Sequence, residues 1–266
     1  MFKVLFIGDI VGSIGRQTVA KILPKLKKKL KPDLVIANVE NIAHGKGITE
    51  ITLKEIFAAG VDAATGGNHS FARKQSFEIY EKKDFNILRP ANFPPGLPGN
   101  GEKIIQSGNK SILLLNLMGR VFMSQQLDCP FRAFDAILKK YEEIKLDAII
   151  VDFHAEATSE KKAFAAYVDG RANIVFGTHT HVQTADEMIS KKNTGSISDV
   201  GMVGLLDSVL GVTAESAINN FLQQTNQPLE LAKNGRCIFN SIFAIMNLAN
   251  NKIISFKKIN EYATIK

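Results

Sequence analysis

The stretch VLFIGDIVGSIGRQ, residues 4–17, opens with an apolar run and continues with three glycines set around one aspartate. The apolar run has the composition of a buried strand. The glycines at Gly8, Gly12 and Gly15 fit either a phosphate-binding turn for a dinucleotide or a strand end that presents Asp9. Their spacing is G-x-x-x-G-x-x-G, whereas the dinucleotide turn needs G-x-G-x-x-G. This spacing disfavours a dinucleotide-dependent oxidoreductase and favours a strand end that presents Asp9.

Further apolar runs follow the first one and alternate with segments of helical periodicity, which is typical of βαβ units. These runs lie at residues 34–39, 61–65, 112–117, 148–153 and 174–176. Each run is apolar throughout, as in strands that are buried on both faces. Between them, Thr52 and Glu55 predict a capping box at the start of a helix that ends at Gly60. The sequence therefore predicts an α/β fold.

The last third of the chain has a different pattern. From residue 237 to residue 259, β-branched and aromatic runs are broken by Asn-Gly at 234–235 and Asn-Asn at 250–251. This pattern predicts antiparallel strands joined by hairpins. A segment rich in proline and glycine, residues 94–101, is typical of a surface loop rather than a domain boundary. We therefore expect residues 1–266 to form a single domain.

Composition and charge limit the classes of protein to consider. The 266 residues are 45% hydrophobic, which is enough for a substantial core, and carry a net charge of +7 that comes mostly from lysines. We expect a solvated basic surface; nucleic-acid binding is not favoured, because no cluster of arginines and aromatic residues accompanies the lysines. The two cysteines show no paired spacing, which fits a reducing cytoplasm. The first apolar run is too short for a membrane span, so we expect no membrane association.

Metal-ligand types of residue follow five of the apolar runs. The motifs are Gly8-Asp9, Glu40-Asn41, Gly67-Asn68-His69, His154 and His179-Thr180-His181. Because the carboxyl ends of the strands in an open α/β sheet border one crevice, we expect the five motifs to converge. Carboxylate, amide and imidazole ligands without a thiolate suit manganese, iron or zinc. Four of the five histidines belong to these motifs, which favours one shared site.

The order of these motifs resembles that of the calcineurin-like metallophosphoesterases, whose pattern is GD, GD or GN, GNH, H and GHxH. The stretches FIGDIVGSIGR, ANVENIAHGKGIT, TGGNHS, VDFHAEATSEK and FGTHTHVQTADE resemble the bacterial YmdB-type branch. The resemblance implies an αββα sandwich with central sheets of mixed strands flanked by helices. Val11 stands where the wider superfamily has a histidine, and Glu40 replaces the usual bridging aspartate. Both departures match the YmdB-type branch.

The resemblance also implies two metal ions per chain, divalent or mixed-valence, with iron or manganese favoured over zinc. The implied ligands are Asp9, Glu40, Asn41 and His181 for the first ion, and Glu40, Asn68, His154 and His179 for the second. Glu40 would bridge the two ions, which together activate water and hold the phosphoryl oxygens during displacement. The family uses a histidine in the position of His69 to donate a proton to the leaving group.

The branch implies a phosphodiesterase whose small-molecule substrates are cyclic nucleotides, including the 2′,3′-cyclic type. Two alternatives stay open from the residues alone. The same site would also suit a phosphomonoesterase, because the pocket walls that separate the two activities leave no pattern in the sequence. A basic protein that keeps the metals for structure and acts as a non-catalytic regulator is the second alternative. A homo-oligomer is compatible with the sequence.

Five further residues have two interpretations each. His44 either lines the substrate cleft or is an exposed loop histidine. Asp152 and Glu156 either orient the imidazole of the histidine between them or are ordinary helix-start or surface carboxylates. Arg120 and Arg132 either hold a phosphate, for which a guanidinium group is well suited, or are surface residues.

Overall fold

The computed structural model describes residues 1–266, which form six helices and fourteen strands. The helices are α1 (Gly12–Leu30), α2 (Glu50–Ala58), α3 (Lys74–Glu81), α4 (Pro130–Lys140), α5 (Thr158–Tyr167) and α6 (Ala214–Gln223). The strands are β1 (Phe2–Ile7), β2 (Asp9–Ile10), β3 (Leu34–Asn38), β4 (Ala63–Thr65), β5 (Ile87–Leu88), β6 (Glu102–Ser107), β7 (Lys110–Met118), β8 (Ala148–His154), β9 (Ile174–Thr178), β10 (Met188–Ile189), β11 (Gly195–Ile197), β12 (Met202–Leu205), β13 (Gly235–Asn247) and β14 (Lys252–Ile265). None of the helices has both the length and the apolar character needed to cross a membrane.

The strands form two mixed sheets. The first sheet has the order β2-β12-β13-β1-β3-β4-β5, with β14 paired to the other edge of β13. The second has the order β10-β11-β9-β8-β7-β6. Each sheet contains a parallel core, β1-β3-β4-β5 in the first and β7-β8-β9-β11 in the second, and is extended by antiparallel strands. The carboxyl ends of the parallel strands carry the residues that the sequence predicts to converge.

The molecule has four layers, with helices on the outer face of each of the two packed sheets. Both faces of the central strands are therefore buried, which explains their continuous apolar sequences. Side chains alternate between the two faces of a strand. In β1, Leu5 and Ile7 pack toward helices α1 to α3, whereas Val4 and Phe6 pack into a cluster of 21 buried residues between the two sheets. Helices α4 and α5 cover the outer face of the second sheet. The predicted αββα sandwich, with central sheets of mixed strands flanked by helices, is therefore confirmed.

The local predictions hold for the strands and fail at one helix cap. The predicted hairpin is formed by β13 and β14, and the second strand runs past residue 259 to Ile265. The capping box on Thr52 and Glu55 is wrong. The cap of α2 is Thr49, whose hydroxyl accepts from the backbone N–H of Thr52, while the Thr52 hydroxyl accepts from that of Thr49. Glu55 instead pairs with Arg16 of α1.

The contact between Phe6 and Phe176 joins the two sheets, with stacked rings whose centroids are 4.2 Å apart. We expect Phe176→Ala to lower the free energy of unfolding by about 3–5 kcal/mol, because it leaves a cavity in a core that has no solvent to fill it. Urea denaturation measures the change. The control is Phe221→Ala, since that ring is 79% exposed and its loss should change stability by less than about 0.5 kcal/mol. Equal effects of the two substitutions would contradict the assigned sheet interface.

Candidate metal centre

The five sequence motifs meet at the interface of the two sheets. The first sheet supplies three of them: Asp9 follows β1, Glu40-Asn41 follows β3, and Asn68-His69 follows β4. The second sheet supplies His154, the last residue of β8, and the loop after β9 that carries His179 and His181. All eight predicted site residues lie in this one group, which we call the strand-end cluster: Asp9, Glu40, Asn41, Asn68, His69, His154, His179 and His181.

His154 is the central side chain of one half of the cluster. Its Nε2 lies 2.9 Å from Asn68 Oδ1, 3.3 Å from Glu40 Oε1 and 3.1 Å from His179 Nδ1. One ligand atom from each of Glu40, His154 and His179 falls within a group whose members are all within 4.8 Å of one another. The backbone at Gly67 approaches so closely that a Cβ there would lie 2.4 Å from the His154 ring. A glycine is therefore required before Asn68.

Asp9, Asn41 and His181 form the other half. The Asn41 Nδ2 atom lies 3.2 Å from both Glu40 Oε1 and His181 Nε2. Asp9 is fully buried; its Oδ2 accepts from the backbone N–H of His179 at 3.2 Å. Its Oδ1 has no hydrogen-bond partner and lies 4.0 Å from His181 Nε2. Glu40 contacts both halves.

A buried hydrogen-bond chain orients the His154 ring. The Thr178 hydroxyl donates to Asp152 Oδ1 at 2.7 Å, so its oxygen is free to accept from the Nδ1–H of His154 at 2.9 Å. Because Nδ1 is bonded to Thr178, Nε2 is the ring nitrogen that faces the cluster. Asp152 is itself held by Thr65 and by the Asn38 amide. Of the two interpretations of Asp152, the structure supports the one in which it orients an imidazole.

The other two imidazoles of the loop after β9 have partners on the side that faces away from the cluster. His181 Nδ1–H donates to the backbone carbonyl of Leu210 at 2.9 Å, which directs Nε2 toward Asp9. His179 Nε2 lies 3.1 Å from the half-exposed Glu156 carboxylate, which leaves Nδ1 toward His154. Second hydrogen bonds of this kind are typical of metal-ligating histidines.

His69 lies at the mouth of the cluster, and its side chain is 27% exposed. Its backbone N–H donates to Glu40 Oε2 at 2.9 Å, and its ring Nδ1 lies 2.8 Å from Asn41 Oδ1. The Nε2 atom makes no hydrogen bond within the chain. His69 is therefore held by two cluster residues while one ring nitrogen stays available to a ligand.

Burial and the charges of neighbouring residues shift the pKa values of the cluster side chains. Burial raises the pKa of Asp9 to about 6. Burial alone would raise the pKa of Glu40, but the charge of His154 holds it well below its usual value. Burial would likewise lower the pKa of His154, but the Glu40 charge raises it to about 9. Burial lowers the pKa of His179 to about 3. The buried carboxylates thus favour positive charge at the centre of the cluster.

The donor set fits a metal ion. Asp9 Oδ1 is a buried carboxylate oxygen without a partner, which is costly unless a cation or proton satisfies it. Around His154 Nε2, amide, carboxylate and imidazole atoms point toward one another, and all of them can donate electron pairs to a cation. Oxygen and nitrogen ligands without sulfur suit iron, manganese or zinc. The orphaned oxygen and the convergent lone pairs are the observations that support a metal site.

The buried ion pair between Lys161 and Asp199 braces the loop that carries His179 and His181. Both histidines have positive φ angles, 104° and 65°. Asp199 Oδ2 accepts from the backbone N–H and the hydroxyl of Thr180 and from Lys161 Nζ, all within 2.7–2.9 Å. The Lys161 and Asp199 side chains are only 3% and 1% exposed. Sequence reasoning missed this pair, because the two residues are 38 positions apart and neither lies in a motif.

Three residues that the sequence singled out lie outside the cluster. His44 is exposed, with a positive φ of 54°, and its ring makes no hydrogen bond within the chain. Arg120 and Arg132 are exposed and make no hydrogen bond or ion pair with a cluster residue; both line a separate cavity.

Comparisons with known proteins agree over nearly the whole chain. A family model described as YmdB-like protein matches residues 5–259. A 2′,3′-cyclic-nucleotide 2′-phosphodiesterase of Bacillus subtilis is 42% identical over 258 residues, covering 97% of this chain and 96% of that protein. The crystal structure of a hypothetical protein from Thermus thermophilus has a TM-score of 0.91 and 39% identity, covering 98% of this chain and 99% of its own. That of a novel phosphatase from Mycoplasma pneumoniae has a TM-score of 0.91 and 34% identity, with 98% and 93% coverage.

The buried ion pair yields a stability prediction. We expect Lys161→Met to lower the free energy of unfolding by about 3–5 kcal/mol, because it leaves the Asp199 carboxylate buried without its cation. The neighbouring Lys162→Met is a matched control: Lys162 is 47% exposed in its pair with Asp186, and its loss should cost less than about 1 kcal/mol. Urea denaturation of both variants measures the difference. Similar values for both would contradict the bracing role of Lys161.

Proposed function

The chain belongs to the YmdB-like family, and from this premise we propose that it is a metal-dependent phosphodiesterase that hydrolyses cyclic nucleotides, the 2′,3′-cyclic type included. It is a hydrolase of the metallophosphoesterase type. The observation that supports phosphoester hydrolysis is the strand-end cluster, to which both sheets contribute and which combines convergent candidate metal ligands with a free imidazole nitrogen. The B. subtilis relative, 42% identical, is a phosphodiesterase for 2′,3′-cyclic nucleotides.

We assign the two halves of the cluster to two metal ions, iron or manganese in preference to zinc. The first would be held by Asp9, Glu40, Asn41 and His181, and the second by Glu40, Asn68, His154 and His179. When bound, the two ions would supply a nucleophile from water and neutralise charge on the phosphoryl oxygens. Asn41 would ligate through Oδ1, which requires its amide to turn from the orientation in which Nδ2 faces Glu40 and His181. In the present orientation Asn41 Oδ1 lies 2.8 Å from His69 Nδ1.

The chain's own groups account for the proton that the leaving oxygen needs. Hydrolysis of a 2′,3′-cyclic phosphate at the 2′ position breaks the bond between phosphorus and O2′, adds the oxygen of water to phosphorus and leaves a 3′-phosphate. The alkoxide that leaves must gain a proton. His69 Nε2 is the unoccupied nitrogen at the mouth of the cluster, and Asn41 holds the ring through Nδ1. We assign His69 as the general acid.

Residues 1–266 would act as one catalytic unit, because neither sheet holds a complete ligand set. Glu40 and Asn68 from one sheet need His154 and His179 from the other. We place the protein in the cytoplasm, where Cys129 and Cys237 would stay reduced.

A substrate panel tests the proposed activity. We expect kcat/KM of the metal-loaded protein to be higher for 2′,3′-cyclic nucleotides and a chromogenic phosphodiester than for a chromogenic phosphomonoester, with a 3′-nucleotide as product of the cyclic substrate. Chelation should abolish turnover. A preference for the monoester would contradict the diesterase assignment and favour a phosphatase, the activity named for the M. pneumoniae protein. No turnover with any phosphoester, at full metal loading, would favour a non-catalytic regulator.

The His69 assignment makes a separate prediction. We expect His69→Ala to lower kcat about 10²–10⁴-fold while the metal content per chain stays at the wild-type value, because the proton donor is lost and the proposed ligands remain. Elemental analysis and steady-state kinetics measure the two quantities. His44→Asn is the control, since it removes an exposed imidazole that contacts no cluster residue and asparagine tolerates the positive φ there. Full activity of His69→Ala would contradict the role.

A further inference from the structure

A cavity of about 450 Å³ lies at the loop between β7 and α4, and Arg120, Asp128 and Cys129 are among the residues that line it. The start of this loop is tied to the cluster because the Gly119 N–H donates to the backbone carbonyl of His154 at 2.9 Å. Further along, Gln125 Nε2 donates to the backbone carbonyl of Asn68 at 3.3 Å. The loop that lines the cavity is therefore bonded at two points to the backbone of cluster residues.

Two guanidinium groups line the cavity and have no partner in the chain. Arg120 and Arg132 make no ion pair and no side-chain hydrogen bond, unlike Arg16, Arg73 and Arg171, each of which is bonded to carbonyl or carboxylate oxygens. The lining also contains one carboxylate, Asp128, which lies within ion-pair distance of neither arginine. Two unpaired guanidinium groups at one cavity suit a phosphate group, which they contact with several donors in a plane.

Two buried side chains, Asn92 and Glu160, fix the backbone around the cavity. Asn92 is 1% exposed; its amide donates to the backbone carbonyls of Met118 and Asp128, and its Oδ1 accepts from the Met118 N–H. The Glu160 carboxylate, 8% exposed, accepts from the backbone N–H groups of Arg120 and Val121 at 3.0–3.1 Å. The backbone that carries Arg120 is thus held in place before any ligand arrives, which reduces the entropy lost on binding.

We propose that this cavity binds a second phosphate of the substrate, the one attached to the 5′ oxygen of the nucleotide whose cyclic phosphate occupies the cluster. This inference rests on the proposed function. A 2′,3′-cyclic mononucleotide with a 5′-hydroxyl carries a single phosphate, which the cluster would take, so the two free arginines have no partner in that substrate. The second phosphate has two sources with the same chemistry: a 5′-phosphomonoester, or the internucleotide diester of a short RNA fragment that ends in a cyclic phosphate.

Three substrates that differ only at the 5′ oxygen test the inference: 2′,3′-cyclic AMP, its 5′-phosphorylated form, and an adenosine dinucleotide ending in a 2′,3′-cyclic phosphate. We expect wild-type kcat/KM to be at least about tenfold higher when the 5′ phosphate is present. The ratio between the second and third substrates identifies which source is preferred. The double substitution R120A/R132A should lower the 5′-phosphate preference about tenfold. Asp128→Asn should raise it, because it removes the one negative charge of the lining.

Lys139→Ala is the matched control. It removes one exposed positive charge from α4 seven residues beyond Arg132, about 10 Å along the helix, and should leave the preference at its wild-type value. Equal wild-type kcat/KM for all three substrates would overturn the inference, as would a fall of all three values by the same factor in R120A/R132A. Failure of the wild-type protein to cleave any of the three would instead contradict the proposed function.

Discussion

The contact of His154 Nε2 with Glu40 Oε1 and Asn68 Oδ1 joins the two sheets at their polar edge, and the site depends on it. His154 ends a strand of the second sheet, whereas the other two residues follow strands of the first. These atoms meet only because the apolar faces of the two sheets pack on each other through contacts such as Phe6 with Phe176. The geometry of the site therefore depends on the packing of the core between the sheets.

The cluster concentrates charged side chains in the protein interior, and hydrogen bonds from the surrounding residues offset the cost of burying them. Asp152 reaches His154 through Thr178, and Asp199 with Lys161 fixes the loop that carries His179. Buried ion pairs contribute little net stability against a well-packed apolar alternative, so their value here is in positioning. Three of the four imidazoles of the cluster, those of His154, His179 and His181, have one ring nitrogen held by a residue outside the cluster, which leaves the other directed at neighbouring cluster residues. The orientation of these three side chains is thus set by residues outside the cluster.

The sequence predicts most of the cluster, because its residues sit at strand ends, and strand ends are marked locally by the change from apolar to polar residues. Asp9, Glu40 and His154 are all predicted in this way. The supporting residues could not be found, since Lys161 and Asp199 are ordinary charged residues that only the tertiary fold brings together. The predicted capping box failed because Thr52 is the third helical residue of α2 and not its cap: Thr49 caps the helix, and Glu55 pairs with Arg16 of α1. The arginine-lined cavity likewise brings together separate segments of the chain, and no local sequence pattern predicts that they meet.

We propose that the strand-end cluster holds two metal ions that share the Glu40 carboxylate. Anomalous diffraction from crystals of protein purified with its metals, with data recorded on both sides of the iron and manganese absorption edges, tests this directly. We expect two peaks, one bounded by Asp9, Asn41 and His181 and the other by Asn68, His154 and His179, both within bonding distance of the Glu40 carboxylate. A single peak, or peaks away from Glu40, would contradict it.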